Sequence, residues 1–264
     1  MHATPVRAVI FDWAGTLVDY GSRAPVAAFQ QVFRLRGVEA PSAAARAPMG
    51  LAKREHLAHM LQDEDILADW RRVHGGDPSE ADLDALYADF LPVLCDLLPH
   101  YSGVLPGVGD ALAELRRRGL ALGSTTGYSR TIMDIVEPLA AQQGLLLDCV
   151  VCADQVPAGR PKPWMLFQAA QALDAFPPAA VVNVDDTPAG VASGRNAGMW
   201  SIGVTRTGNE LGLSEDEIAA LDLQALEERL AAARARLLAA GAHDVIESVS
   251  DLPALLAARA LPPA

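Results

Sequence analysis

Short apolar runs alternate with longer amphipathic stretches along most of the chain. The first run, VRAVIF at 6–11, is rich in β-branched residues and stops at Asp12. Comparable runs stand at 120–124, 148–152, 180–184 and 200–204. Continuous apolar runs of this length, bounded by turn residues, predict strands of a parallel sheet that is covered on both faces. Between them, helical periodicity fills 107–118, 129–143, 163–174 and 187–197. Strands alternating with helices predict an α/β fold whose core is a Rossmann-like, doubly wound parallel sheet. In such sheets ligands sit beyond the carboxyl ends of the strands. Here those ends carry Asp12, Ser124-Thr125-Thr126 and Asp185-Asp186, so one rim collects the polar candidates.

Residues 21–99 break the alternation. They read as helices only, interrupted at Gly37, Pro41, Pro48, Gly75-Gly76 and Pro78. A helical insertion after the first strand is most economically a cap over the rim. The expected division is therefore a core of 1–20 and 100–264 with a helical cap domain of 21–99. Near the end, the pattern predicts a long helix over 222–240, a strand over 243–249 and a final helix from Asp251.

Composition narrows the partners. At ~150 residues per domain, 264 residues suit one large domain or a core with an insertion. The net charge of −12 argues against nucleic acid and against an anionic membrane surface. No apolar run reaches the ~18 residues of a membrane span. The opening MHATPVRAVIFD has no signal-peptide core, and three cysteines are too few for a disulfide framework. The expected location is the cytoplasm. Lysine occurs only at 53 and 162, against 19 arginines, so a lysine here is a better candidate for amine chemistry than usual.

Asp12 opens the string FDWAGTLVD at 11–19. A carboxylate at a strand tip before a glycine turn suits a nucleophile whose target rests on the turn's amides; it equally suits a helix N-cap. Asp185-Asp186 at another strand tip tips the balance. Adjacent carboxylates repel unless a divalent cation holds them. With Asp12 they offer hard oxygen ligands suited to Mg²⁺.

Four motifs, at 10–16, 124–126, 160–163 and 185–186, resemble those of the haloacid dehalogenase superfamily. The strings DWAGTLVDYG, PMGLAKREH (48–56), GSTTGYSR (123–130), VPAGRPKPW (156–164) and GRNAGMW (194–200) resemble its phosphonatase branch, in core and cap alike. That resemblance implies carbon–phosphorus cleavage of phosphonoacetaldehyde through a Lys53 Schiff base and an Asp12 aspartyl-phosphate, in a Mg²⁺-dependent homodimer. It implies Asp12, the Ala14 carbonyl and Asp186 as metal ligands, with Asp185 behind them. It implies Thr126 and Arg160 as phosphoryl contacts, His56 as a proton shuttle on the same helix face as Lys53, and Met49 and Tyr128 as pocket walls. Ser22 stands at the cap entrance in place of a cysteine-like position.

Chemistry agrees with this implication. Phosphatases of the superfamily carry an acid two residues after the nucleophile to protonate a departing alkoxide. Here that position is Ala14. A carbon leaving group needs an electron sink instead, and an iminium between a lysine and a neighbouring aldehyde supplies one. The alternatives are another phosphatase or dehalogenase of the superfamily, or a phosphate-binding module with a decayed site. Ala14 weighs against a phosphomonoesterase. The acidic pair and Lys53 weigh against a metal-free dehalogenase, and the intact Asp12, Arg160 and Asp186 weigh against decay. Cys149 and Cys152 form a CxxC spacing inside a predicted strand, where i and i+3 point to opposite faces, so a redox or zinc role is not expected. His59, His74 and His100 read as ordinary helix or loop residues.

Overall fold

The computed structural model of the protein describes residues 5–258. The ends of the expected core segment, 1–4 and 259–264, lie outside the described residues. Strand β1 (Ala8–Phe11) is followed by five helices: α1 (Arg23–Leu35), α2 (Ser42–Arg46), α3 (Lys53–Met60), α4 (Glu64–His74) and α5 (Glu80–Tyr101). The alternation resumes with α6 (Val108–Arg117), β2 (Ala121–Thr126), α7 (Arg130–Ala141), β3 (Cys149–Cys152), α8 (Trp164–Ala172), β4 (Val181–Asp185), α9 (Pro188–Asn196) and β5 (Trp200–Val204). Helices α10 (Glu215–Ala219) and α11 (Leu223–Ala239), strand β6 (Asp244–Ile246) and helix α12 (Leu252–Ala258) complete it.

The six strands form one parallel sheet in the order β3-β2-β1-β4-β5-β6. This is the doubly wound order, with the chain reversing direction across the sheet between β1 and β4. Pleating sends Val9 and Phe11 into a hydrophobic cluster with the cap helices, and Ala8 and Ile10 into a second one under α8. All four are fully buried, which is why the first strand reads as a continuous apolar run. Cys149 and Cys152 fall to opposite faces by the same alternation, and both are free thiols.

Two elements differ from expectation. The strand expected over 243–249 is only Asp244–Ile246. Ser248 and Asp251 form a capping box that turns the chain into a 3₁₀ turn at Val249–Asp251, and such reciprocal caps compete with strand pairing. Strand β2 runs two residues past 124, so Thr125 and Thr126 lie on the strand. Helix α5 runs through Pro92 and Pro99 to Tyr101. Among the described residues no helix is long and apolar enough to cross a membrane.

The inserted helices share their core with the sheet. Phe29, Val32 and Phe33 of α1, and Leu86, Phe90 and Leu94 of α5, bury into the cluster that also holds Phe11 and Trp13. The segment from α2 to α3 meets the sheet's carboxyl rim. Gly50, at φ +92, lies so close to Thr187 that a Cβ there would come within 2.5 Å of its hydroxyl oxygen.

Candidate active site

Sheet register builds the centre. Phe11 pairs with Ser124 on one side and Val184 on the other, so Asp12 is level with Thr125 and Asp185 at the switch point. The Asp12 N–H donates to the Val184 carbonyl, 2.9 Å. Trp13 is buried, and its Nε1–H donates to Ser124 Oγ, 2.8 Å, tying the turn after Asp12 to β2. Gly15, at φ +85, has no room for a Cβ, which would meet Asp186 Oδ2 at 2.2 Å; a side chain here would displace that carboxylate.

Arg160 is buried and ties the strand tips together. Its Nη2 donates to the Thr125 carbonyl and Oγ1, both at 3.0 Å, and lies 2.7 Å from Asp12 Oδ1 and 3.2 Å from Asp185 Oδ2. Thr126 Oγ1 accepts from the Tyr128 N–H, 3.1 Å. Burial works against the guanidinium charge, but Asp185 and Asp12 keep it firmly protonated.

Asp12, Asp185 and Asp186 are all buried, and each offers an oxygen within 4.8 Å of the others. Burial raises Asp185 to about 7; Arg160 opposes this rise and Asp12 adds to it. Burial, followed by the Asp12 and Asp185 charges, pushes Asp186 well above the carboxylate range. A divalent cation removes that conflict. The two neighbours are not equivalent. Asp185 Oδ1 accepts from both the N–H and Oγ1 of Thr187, at 2.9 and 2.8 Å, and its Oδ2 faces Arg160. Asp186 Oδ2 accepts only the Asn209 N–H, 2.7 Å, and its buried Oδ1 has no hydrogen-bond partner. An orphaned carboxylate oxygen beside two other carboxylates fits a hard cation ligand.

Between the inserted helices and the strand tips lies a cavity of about 20 Å³, room for about one ordered water. Its walls include Asp12, Ala14, Met49, Lys53, Thr126, Tyr128, Arg160 and Asp186, with Ser22 and Pro25 at the cap entrance. Lys53 opens α3 and is only 6% exposed. Its Nζ lies 5.2 Å from the Tyr128 ring centre and 5.6 Å from that of Phe29, with no carboxylate at ion-pair distance among the described residues. Burial lowers the amine to about 8, against the pull of Asp12 and with help from Arg160. Burial likewise drives the Tyr128 hydroxyl well above its usual range.

His56 stands apart from the other candidates. It is fully buried behind Lys53, stacked on Phe29 at 3.9 Å, and does not line the cavity. Its Nε2 is 2.9 Å from the Ala45 carbonyl. A carbonyl only accepts, so Nε2 carries the proton and Nδ1 is a bare, unpartnered acceptor. Burial, then the Lys53 charge, holds the ring well below the usual histidine range. Lys162 is exposed in the loop after Arg160, outside the cavity. His59, His74 and His100 are also outside it.

The loop after β5, which no motif in the sequence marks, also reaches the site. Thr207 Oγ1 donates to the Gly15 carbonyl, 2.8 Å, and Asn209 holds Asp186. The signal for them is topological, since the end of β5 lies on the same edge as Asp12 and Asp186.

Comparison with known proteins places the chain in a family. The haloacid dehalogenase-like hydrolase family matches residues 6–198. A phosphonoacetaldehyde hydrolase of Bacillus cytotoxicus is 45% identical over 251 residues, covering 95% of each chain. One from Nitratidesulfovibrio vulgaris is 46% identical over 247 residues, 94% of this chain and 88% of its own. The crystal structure of a phosphonoacetaldehyde hydrolase-like protein from Oleispira antarctica superposes with a TM-score of 0.95 at 37% identity, covering 98% of this chain and 94% of that one. A haloacid dehalogenase-like hydrolase by its core and its strand-tip carboxylates, this chain belongs within that superfamily to the phosphonoacetaldehyde hydrolase family.

Proposed function

We propose that the protein hydrolyses the carbon–phosphorus bond of phosphonoacetaldehyde to acetaldehyde and phosphate. One observation carries the reading: a buried lysine amine shares a small cavity with Asp12, while the acid needed for ester cleavage is replaced by Ala14. The names of the relatives agree with it. The reading includes a cytoplasmic homodimer, on family resemblance.

In the proposed mechanism the phosphonate oxygens rest against Arg160 and Thr126. Asp12, Asp186 and the Ala14 carbonyl would hold Mg²⁺, with Asp185 kept behind them by Thr187 and Arg160. When bound, the cation offsets the negative charge that would otherwise keep an anionic nucleophile from an anionic phosphorus. The neutral Lys53 amine adds to the aldehyde carbon and, taking up one proton, loses water to give a protonated imine; that proton is returned when the imine is hydrolysed at the end of the cycle. The bare Nδ1 of His56, behind Lys53, is the proposed acceptor in proton transfers around that nitrogen. Asp12 then attacks phosphorus. The carbon–phosphorus bonding pair moves into the iminium, leaving an enamine on Lys53 and an aspartyl-phosphate on Asp12. One water hydrolyses the acyl phosphate to inorganic phosphate. The enamine takes up a proton, and a second water releases acetaldehyde and the free amine. The water lost on imine formation offsets one of the two consumed, so the net reaction uses one.

The assay that tests this compares phosphate release from phosphonoacetaldehyde with release from an aryl phosphate. The phosphonate should turn over at least about 10²-fold faster in kcat/KM. EDTA should abolish the activity and Mg²⁺ restore it, and Asp186→Ala should cost more than Asp185→Ala. Preference for the aryl phosphate, or indifference to chelation, would overturn the reading.

A pH dependence follows from Lys53. A lowered pKa means that the cation is disfavoured, so the neutral amine accumulates as pH rises through about 8. Below that point its fraction grows about tenfold per unit. The rate constant for imine formation should climb between about pH 6 and 8 and level off above about 9. A rate that falls over the lower interval would exclude amine attack by Lys53.

A further inference from the structure

The loop after β5, residues 205–212, reaches four parts of the molecule. Thr207 Oγ1 bonds the Gly15 carbonyl in the turn after Asp12. The Thr207 carbonyl accepts from the Gly21 N–H, 2.7 Å, where the chain leaves for the cap. The Asn209 N–H holds Asp186 Oδ2. The Asn209 side chain, buried at 3% exposure, pairs with Arg46 at the end of α2. Arg46 Nη1 donates to Asn209 Oδ1, and Asn209 Nδ2 donates back to the Arg46 carbonyl, each at 3.2 Å. Arg46 also donates from Nη1 to the Gly21 carbonyl and from Nη2 to the Gly212 carbonyl, both at 2.8 Å.

Arg46 stands three residues before Met49 and seven before Lys53, so the segment it anchors forms the cap-side wall of the cavity. A cavity of about 20 Å³ does not admit phosphonoacetaldehyde. Seating the substrate there would require the inserted helices to move, and moving α2 away would break the bonds from Arg46 to Asn209 and Gly212. We infer that Arg46 and Asn209 are positioning residues that couple seating of the cap to the orientation of Asp186. With the cap seated, Arg46 pins the Asn209 side chain. The loop is then fixed with its N–H on Asp186 Oδ2, leaving Oδ1 for the cation. This rests on Asp186 being a cation ligand. Coupling is reciprocal, so cation binding also favours the seated cap.

The test uses Mg²⁺ alone as probe, titrated calorimetrically into the full chain without substrate. Arg46→Ala and Asn209→Ala should each weaken Mg²⁺ binding about tenfold. The double variant should be little worse than either one, because both remove the same link. In the wild type, Mg²⁺ should slow amide exchange across 42–52; in either variant it should not. Asn209→Ala keeps the backbone N–H, so it decides the matter even if Arg46→Ala fails to fold. Asp186→Ala is the control and should abolish binding. If it does so while folded Asn209→Ala binds Mg²⁺ normally, the coupling is overturned and the cation reading stands. Additive losses in the double variant also overturn the coupling. If Asp186→Ala still binds Mg²⁺ as tightly, the cation reading fails and the coupling falls with it.

Discussion

Asp12→Asn is expected to lower turnover of phosphonoacetaldehyde by at least about 10³-fold, roughly 4 kcal/mol in the barrier, while the protein stays folded. The substitution keeps the shape of the side chain. Its Oδ1 remains placed to accept from Arg160, which lies 2.7 Å away in the native site. What disappears is the nucleophile and one negative charge. Without the nucleophile no acyl phosphate forms. The charge was one of three carboxylates packed at the strand tips, and its field adds to the rise of both Asp185 and Asp186. Removing it relieves repulsion among the buried acids, but it takes from the buried Arg160 one of its two counter-ions and leaves only Asp185. The two effects oppose each other, so the thermal midpoint should stay within about 5 °C of wild type. Rapid-quench assays and calorimetry on the same preparation read both quantities. Retention of more than about 5% of the wild-type rate would dismiss covalent catalysis by Asp12.

Lys53→Arg should be equally damaging for a different reason. Arginine keeps the positive charge beside the Phe29 and Tyr128 rings, but its guanidinium stays protonated and forms no imine. Phosphonoacetaldehyde should still bind, with carbon–phosphorus cleavage slowed by at least about 10³-fold. The wild-type enzyme supplies the complementary measurement. Borohydride added together with acetaldehyde or phosphonoacetaldehyde should inactivate it irreversibly, and peptide mapping should find one reduced adduct. With only two lysines in the chain, the result is easily read. Lys53 is buried in the cavity and lowered to about 8, whereas Lys162 is exposed outside it. An adduct confined to Lys162, or substantial turnover by Lys53→Arg, would place the electron sink elsewhere.

Much of the framework was legible because parallel strands announce themselves. A strand covered on both faces must be apolar along its length, and the next polar residue marks where it emerges. Asp12 and the acidic pair were found in this way, and the doubly wound order then set them side by side. The strand that the pattern predicts over 243–249 ends at Ile246 for a related reason. Apolar Val245, Ile246 and Val249 resemble a strand, but the capping box between Ser248 and Asp251 closes a turn after Ile246. His56 was placed on the Lys53 face from helical spacing. Spacing cannot show how far a ring is buried, and this one stacks on Phe29 behind the cavity wall.

What the sequence determined by itself is what depends on local pattern: the alternation of strands and helices, the helical insertion, and residue types such as Asp12, Ala14, Lys53 and Arg160 whose chemistry narrows the reaction. What only the tertiary structure decided depends on contacts between distant segments. The distinction between Asp185 and Asp186 is of this kind. They are adjacent in the chain and chemically identical, yet Thr187 and Arg160 occupy one, while Asn209, 23 residues onward, leaves the other with an orphaned oxygen. The lowered pKa of Lys53 has the same origin, since burial is its largest cause and comes from seating the cap on the sheet. The link from Arg46 to Asn209 spans 163 residues. No periodicity records such a pairing, because its energy comes from bringing a cap helix and a core loop together rather than from either segment alone.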